Sequence, residues 1–167
     1  MAGSPPDPPP SGPPLWEVGF LVSTLGFRSH AVWAERLVPL GLDSRQAAML
    51  LHVAAAEGQP QQALAQALNI PPSRVVGLVD DLEASGLLRR RGDRRDRRVR
   101  TLHLTADGAS MVARLAEVSR AHEAWLCMGL AEEERTQLVR LLKQVAAGLS
   151  LSESVHAGLA GGDWRQP

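Results

Sequence analysis

Apolar residues recur every three or four positions over most of the chain, which predicts a largely helical protein. The first such pattern covers residues 15–37, and Pro39 and Gly41 end it. A second pattern begins at Asp43, whose carboxylate can accept hydrogen bonds from first-turn amides, and Gln46 follows three residues later as in a capping box. Two helices joined by a short turn are therefore expected in the first third of the chain.

Two shorter helices are predicted over residues 61–68 and 72–85, with a break rich in proline between them. The second has an apolar face made of Val75, Leu78, Val79 and Leu82. Its opposite face carries Arg74, Gly77 and Asp81, with Ser73 beside them. Gly86 then ends the helix, as a residue in the left-handed region would. A pair of short helices whose second member is apolar behind and polar in front is typical of a helix-turn-helix.

A small β-hairpin is predicted next, because residues 87–91 and 99–104 are short segments of strand-like composition. In the second strand, one face is expected to carry Val99, Thr101 and His103, and the other Arg100, Leu102 and Leu104. The connecting loop is rich in arginine and aspartate. A hairpin in this position would form a wing beside the helix-turn-helix.

Two long helices complete the pattern. The first opens at Thr105, and its apolar positions repeat at spacings of four and three, the heptad period at which helices pack against partner helices; they are Met111, Leu115, Val118, His122 and Trp125. The second begins near three consecutive glutamates, which favour the positive end of a helix dipole. It is expected to bury Leu138, Leu141, Leu142, Val145 and Leu149.

Charge is distributed unevenly along a chain whose formal net charge is zero. Residues 89–100 contain eight arginines and two aspartates, so this segment carries net +6 and the remainder must sum to −6. Such a local excess favours a phosphate-binding surface, and a solvated charged hairpin is the alternative. The adjoining helix-turn-helix favours contact with DNA. The loop residues expected to make it are Arg94, Arg95, Asp96, Arg97 and Arg98, the acid orienting Arg98 toward a narrow minor groove.

Other classes of function find little support. A single cysteine excludes an intramolecular disulfide, and Cys127 is interpreted as a buried, inert thiol. The five histidines form no metal-ligand spacing, and neither a catalytic motif nor a phosphate loop is present, so no metal, cofactor or enzymatic activity is expected. There is no secretory signal and no apolar stretch long enough to span a membrane, which favours a soluble, cytoplasmic, nucleoid-associated protein of bacterial type.

Two segments of the chain resemble the MarR family of winged-helix regulators. The segment 86–90 and the segment 96–108 are similar to the family's wing, in which Asp-x-Arg is followed seven residues later by a threonine that follows a leucine. The resemblance implies that Asp96 and Arg98 are the orienting acid and the groove-inserting arginine. It also implies that Ser73 and Arg74 read bases in the recognition helix.

The same resemblance implies a homodimer held together by the first and the last two helices. Members typically bind pseudo-palindromic operators near their own promoters, commonly as repressors released by a small ligand or an oxidant. This sequence departs from the family pattern at Pro71 and Pro72, before the recognition helix, and at Gly77 and Asp81 within it. Gly77 has two readings, either a close approach of the backbone to the duplex or a tolerated helix defect.

The sequence thus predicts a mainly α-helical protein with a β-hairpin wing, a winged helix-turn-helix flanked by dimerisation helices. The expected organisation is a proline-rich leader (1–14), a dimerisation helix (15–40), a DNA-binding domain (43–104), two dimerisation helices (105–149) and a tail (150–167). The expected function is a homodimeric, sequence-specific repressor of transcription that binds double-stranded DNA, with a protein–protein adaptor as the alternative. A small-molecule effector would bind near His30, Trp33, Met49 and His52, although core packing explains these four residues equally well.

Overall fold

The computed structural model describes residues 16–68, 70–92 and 99–151. The predicted leader, the wing-loop residues 93–98 and all but the first two residues of the predicted tail lie outside these described residues. The elements are α1 (Glu17–Leu37), a short 3-10 helix (Val38–Leu40), α2 (Ser44–Ala55), α3 (Gln61–Leu68), α4 (Pro72–Ala84), β1 (Leu88–Gly92), β2 (Arg100–Leu104), α5 (Ala106–Leu126) and α6 (Glu132–Gly148). The prediction of a mainly helical fold with a two-stranded antiparallel hairpin is confirmed.

The helix ends follow the local signals in the sequence. Asp43 caps α2 in a capping box, since its Oδ1 accepts from the Gln46 backbone N–H at 2.7 Å and Gln46 Oε1 accepts from the Asp43 N–H at 3.0 Å. Thr105 caps α5, its Oγ1 accepting from the Gly108 N–H at 2.9 Å. Gly86 ends α4 with φ +72°, the left-handed conformation that a glycine adopts without a steric penalty.

The hydrophobic core lies between the helix-turn-helix, the hairpin and the neighbouring ends of α1 and α5. The apolar face predicted for α4 is buried as expected. Leu37 of α1 and Leu115 of α5 close the core from the other side and are fully buried. The other fully buried members are Ala47, Met49, Leu50, Val53, Leu64, Val75, Val79, Leu82, Leu88 and Leu102. This core holds α4 with its polar face outward.

The strict alternation predicted for the second strand is wrong. In β2 the consecutive residues Thr101 and Leu102 are both buried. The cause is the segment before α3, which pairs with the outer edge of β2: the Gly58 N–H donates to Leu102 O at 2.8 Å, and the Leu102 N–H donates to Gln59 O at 3.1 Å. Because that segment covers the edge, Thr101 is enclosed and its hydroxyl donates to Arg91 O at 3.2 Å.

The heptad pattern of α5 packs at least partly against α1 of the same chain, where the sequence predicted partner helices. His122 Nε2 lies 2.9 Å from Ser29 Oγ, and its ring meets Trp33 edge-on at a centroid distance of 5.5 Å. Burial and, secondarily, the nearby Arg36 charge lower the pKa of His122, which favours the neutral form of this side chain. The heptad period thus marks the face of α5 that packs against α1 and the core, with Leu115 buried and the other four heptad residues half-buried.

The expectation that α6 buries its apolar face is wrong for the single chain. No residue of α6 is buried, the whole of that helix lying in the described part of the chain. Its apolar residues are between 37% and 66% exposed when the following Leu149 is included. Arg135 ties α6 to α5, its Nη2 lying 3.0 Å from Glu123 Oε1. The physical reason is that, among the described residues of the single chain, no apolar surface lies opposite this face.

Candidate nucleic-acid interface

The outward face of α4 begins the candidate interface. Of the predicted base readers, Ser73 is exposed on it and Arg74 is half-buried, and Gly77, predicted as a point of close approach, is exposed. The two prolines that depart from the family pattern do not disturb the helix, because Pro72 occupies its first position, where a missing N–H is tolerated. Sequence reasoning missed Val76, which is 42% exposed on the same helix.

Arg90 joins the hairpin to α4 and is not part of the exposed cationic surface. Its Nη1 lies 2.6 Å from Glu83 Oε2 and its Nη2 lies 2.6 Å from Asp80 Oδ1, both on α4. It also donates from Nε to Gln61 Oε1 at 2.9 Å and from Nη2 to the Val76 carbonyl oxygen at 3.3 Å. The side chain is only 19% exposed. Its charge is therefore neutralised within the protein, and the +6 of this segment overstates what is available to an anion.

The electrostatics of Glu83 follow from the same contacts. The Arg90 backbone N–H donates to Glu83 Oε1 at 2.9 Å, and this bond is the main reason that the pKa of Glu83 lies below its usual value. The Arg90 guanidinium lowers it further, whereas partial burial and the neighbouring Asp80 oppose the effect. Glu83 is thus held ionised, and the recognition helix and the first wing strand are linked by charge-assisted hydrogen bonds.

A clue to this link was present in the sequence. Asp80 and Glu83 place two acids three residues apart on a helix that was expected to face phosphate, which is unfavourable unless a cation neutralises them. Gly86 reverses the chain direction between Glu83 and Arg90. An acid pair followed by a tight turn and an arginine strand therefore indicates an internal ion-pair cluster.

The rest of the hairpin carries cations outward. Arg89, Arg91 and Arg100 are exposed on the two strands. Gly92 and Arg100 form the last pair of the hairpin. The loop therefore begins and ends next to the exposed arginines of the two strands. The predicted wing residues Arg94, Arg95, Asp96, Arg97 and Arg98 all belong to that loop and lie outside the described residues.

The four residues predicted to line an effector pocket differ in how deeply they are buried. Met49 is fully buried in the core, His52 and Trp33 are half-buried, and His30 is exposed. Trp33 instead belongs to an aromatic cluster, with His122 between it and Trp125; the His122 and Trp125 ring centroids are 5.4 Å apart. The spacing of single helices could not reveal this cluster, because it joins Trp33 of α1 to His122 of α5, 89 residues later in the sequence.

Metal binding and thiol chemistry gain no support from the described ranges. Within residues 16–68, 70–92 and 99–151, no three His, Cys, Asp or Glu side chains group as a metal site would require. Cys127 is half-buried, where the sequence predicted a buried thiol, and its Sγ lies 3.9 Å from Glu123 Oε1.

Comparison with known proteins decides the family. The sequence profile of the MarR family matches residues 40–99, from the end of α1 to the start of β2. The structure of CouR from Rhodococcus jostii RHA1 bound to p-coumaroyl-CoA is 30% identical, with a TM-score of 0.67, over 78% of this chain and 92% of that one. The chain belongs to the MarR family.

Other MarR-type proteins agree with this assignment. A MarR-family transcriptional regulator from Rhodococcus sp. RHA1 is 29% identical over 81% of this chain and 96% of its own, with a TM-score of 0.68. The repressor CouR bound to a 23-mer DNA duplex is 28% identical over 77% of this chain and 92% of its own, with a TM-score of 0.70. A Thauera aromatica protein, whose name refers to transcriptional regulation of the hcr operon, is 34% identical over 97 residues. That match covers 58% of this chain and 58% of the relative.

The shared fold is the winged helix of MarR regulators, with α3 and α4 as the helix-turn-helix and β1 and β2 as the wing. Among the helices that the structure describes, none is long and apolar enough to cross a membrane.

Proposed function

We propose that this MarR-family protein is a homodimeric, sequence-specific repressor of transcription, which binds a pseudo-palindromic operator and is released by a small-molecule effector. The observation that carries the proposal is the outward face of α4 beside a hairpin with three exposed arginines, Arg89, Arg91 and Arg100. CouR, which has the same fold, has been solved with a DNA duplex, and this supports an equivalent role here.

The two parts of the interface would divide recognition between them. The α4 helix would lie in the major groove, where each base pair presents a distinct pattern of donors, acceptors and methyl groups. The wing would place arginines against phosphates and the minor groove, whose negative potential favours an inserted guanidinium. In the loop, Arg98 would be the inserted residue and Asp96 would orient it. Affinity should therefore depend strongly on salt concentration.

A second copy of the chain is the partner we propose for the exposed apolar surfaces of α1 and α6. Soluble monomers rarely expose large contiguous apolar patches, whereas homodimer interfaces are apolar at their centres. The exposed apolar residues of these two helices include Val18, Phe20, Leu21, Val22, Leu25, Leu138, Leu141, Leu142 and Val145. A symmetric dimer would present two α4 helices to half-sites about one helical turn apart.

An effector would act by changing the spacing or the angle of the two DNA-binding lobes, because only a geometry matching the groove repeat can bind. The capture of p-coumaroyl-CoA by CouR supports a ligand-responsive mechanism. In this chain the residues proposed to contact the effector are His30, Trp33, Met49 and His52. Trp33 is the best placed of them to transmit a change, since it packs against both the core and the α5 residue His122.

The DNA-binding role is tested by substitution of the inserted arginine. Arg98→Ala should weaken binding to the operator by about 1–3 kcal/mol, roughly 5- to 150-fold in Kd, because it removes one guanidinium from the groove. Mobility shift or fluorescence anisotropy on the gene's own upstream region measures this, and Arg120→Ala on α5, an exposed arginine remote from the wing, is the matched control. Equal affinity of Arg98→Ala and wild type would contradict the wing assignment. Failure of the wild type to bind any duplex in low salt would favour the adaptor alternative.

The dimer is tested on α6. Leu142→Glu should convert a sedimenting dimer to a monomer, because it buries an unpaired carboxylate at the proposed interface. It should also abolish operator binding at concentrations that saturate the wild type, since one half-site alone binds weakly. Gln144→Glu adds the same charge on the polar side of the same helix and should leave both properties intact. A Leu142→Glu variant that sediments as a dimer would refute this interface.

A further inference from the structure

The part of α4 that faces outward includes an apolar side chain. Val76 is 42% exposed, although it lies in the middle of the helix-turn-helix and the neighbouring Val75 is fully buried. Its backbone carbonyl accepts from Arg90 Nη2 at 3.3 Å, so this turn of the helix is anchored to the hairpin. An exposed β-branched residue with a fixed backbone presents its methyl groups to whatever approaches α4.

The side chains immediately beside Val76 offer few polar groups for reading base edges, and the two predicted base readers, Ser73 and Arg74, lie in the first turn of α4. Asp80, one turn further on, is 58% exposed, but its carboxylate is ion-paired with Arg90 at 2.6 Å. Gly77 has no side chain. On the exposed front of the first two turns, the hydroxyl of Ser73 is the polar group nearest to the start of the helix. An apolar contact at Val76 would therefore add to the base reading expected of Ser73 and Arg74.

Gly77 adds an independent reason for close approach. Apart from its two chain neighbours and the backbone of its own helix, no described atom lies within 4 Å of the position that a Cβ would take there, so the packing of the fold does not require glycine. Glycine within a helix costs about 1 kcal/mol relative to alanine. Packing within the protein does not explain why α4 carries this destabilising glycine. The approach of an outside surface to the backbone at Gly77, directly beside Val76, would explain it.

We propose that Val76 contacts the C5-methyl group of a thymine in each operator half-site, and that Gly77 lets the helix approach closely enough to make this contact. The inference rests on the proposed DNA-binding function and specifies its base readout. Thymine is the only base that presents a methyl group in the major groove. The exposed arginines on the adjoining hairpin favour duplex DNA as the occupant of this apolar position.

The experiment replaces each thymine of a selected operator by deoxyuridine, which removes the methyl group and leaves the base pair intact. In each half-site, one thymine should show a loss of affinity of about four-fold, the value expected when a buried methyl-sized group worth ~0.8 kcal/mol is removed. The protein is the full chain, and fluorescence anisotropy of labelled duplexes measures the Kd.

Protein variants assign the effect to Val76. Val76→Ala should bind the thymine operator as weakly as the wild type binds the uridine operator, and it should show no further loss with uridine. Val76→Thr keeps the branched shape and one methyl group and should retain the discrimination between thymine and uridine. This double-mutant cycle isolates the contact from a general loss of folding or affinity.

The outcomes separate this inference from the function on which it rests. A wild-type protein that binds its operator with no thymine-specific loss, or with a loss that persists in Val76→Ala, overturns the methyl contact and leaves the regulator intact. A protein that binds no duplex overturns both. A loss confined to one thymine per half-site and absent in Val76→Ala establishes the contact.

Discussion

Replacing Gly108 by alanine should destabilise the protein by at least about 1–3 kcal/mol, the usual cost of overpacking. A Cβ at this position would clash with the carbonyl oxygen of Leu87 and would lie 3.3 Å from Leu104 Cδ2. The oxygen cannot move away cheaply, because it accepts from the Thr105 N–H at 3.2 Å where α5 docks on the hairpin. Chemical denaturation measures the loss, and the Tm should fall by about 2–4 °C for each kcal/mol.

Gly77→Ala is the matched control for Gly108→Ala, since both glycines lie within helices and only one is crowded. It should raise the free energy of unfolding by up to about 1 kcal/mol through helix propensity alone. Operator affinity should nevertheless fall if the duplex approaches the backbone at this position. Equal stability of the two variants would show that α5 docks less closely on the hairpin than the structure describes.

Replacing Arg90 by methionine should destabilise the fold by about 1–3 kcal/mol, because it leaves Asp80 and Glu83 facing each other without a cation. This loss of stability is smaller than that expected for a fully buried ion pair, because both acids are partly exposed. Operator affinity should fall roughly ten-fold, because the wing strand is no longer fixed to the recognition helix. Arg91→Met, on the exposed side of the same strand, is the control for the loss of stability.

Two readouts separate this positioning role from direct phosphate binding. The slope of log K against log salt should be unchanged in Arg90→Met, whereas Arg91→Met should reduce it by about one if Arg91 contacts a phosphate. The second readout is the dependence of stability on pH.

The pKa of Glu83 is lowered in the folded state, so ionised Glu83 stabilises the fold above its usual pKa of 4.5. This contribution is lost as the pH falls through the pKa of the folded state. The stability gap between wild type and Arg90→Met should therefore narrow below about pH 4.5. If Arg90→Met instead reduced the salt slope, and its stability difference from the wild type did not change with pH, Arg90 would be a phosphate contact rather than a positioning residue.

Local signals predicted much of this fold because they act over a few residues. Asp43 with Gln46 and Thr105 with Gly108 form the expected caps, and the left-handed Gly86 ends α4 where the sequence indicates. The burial of β2 was less predictable, because the segment covering its edge lies more than 40 residues earlier in the chain. Periodicity shows that a helix face is apolar but not what covers it, which is why α6 was expected to be buried and is not.

The candidate site was predictable to a similar degree. The spacing on α4 placed Ser73 and Gly77 on its exposed face, as the structure shows. Charge counting could not tell that Arg90 faces inward while Arg89 and Arg91 face outward, since this depends on which side of the hairpin meets α4. It also passed over Val76, because an apolar residue next to an apolar stripe is ordinarily assigned to the core.

The ion-pair cluster of Arg90 with Asp80 and Glu83 of α4 limits how this protein can be re-engineered. A helix grafted from a homologue to change operator preference would also have to supply carboxylates at positions 80 and 83. Without them, the transplanted segment would leave the hairpin's inward guanidinium unmatched. Successful chimeras should therefore exchange residues 72–92 as one module rather than the helix alone.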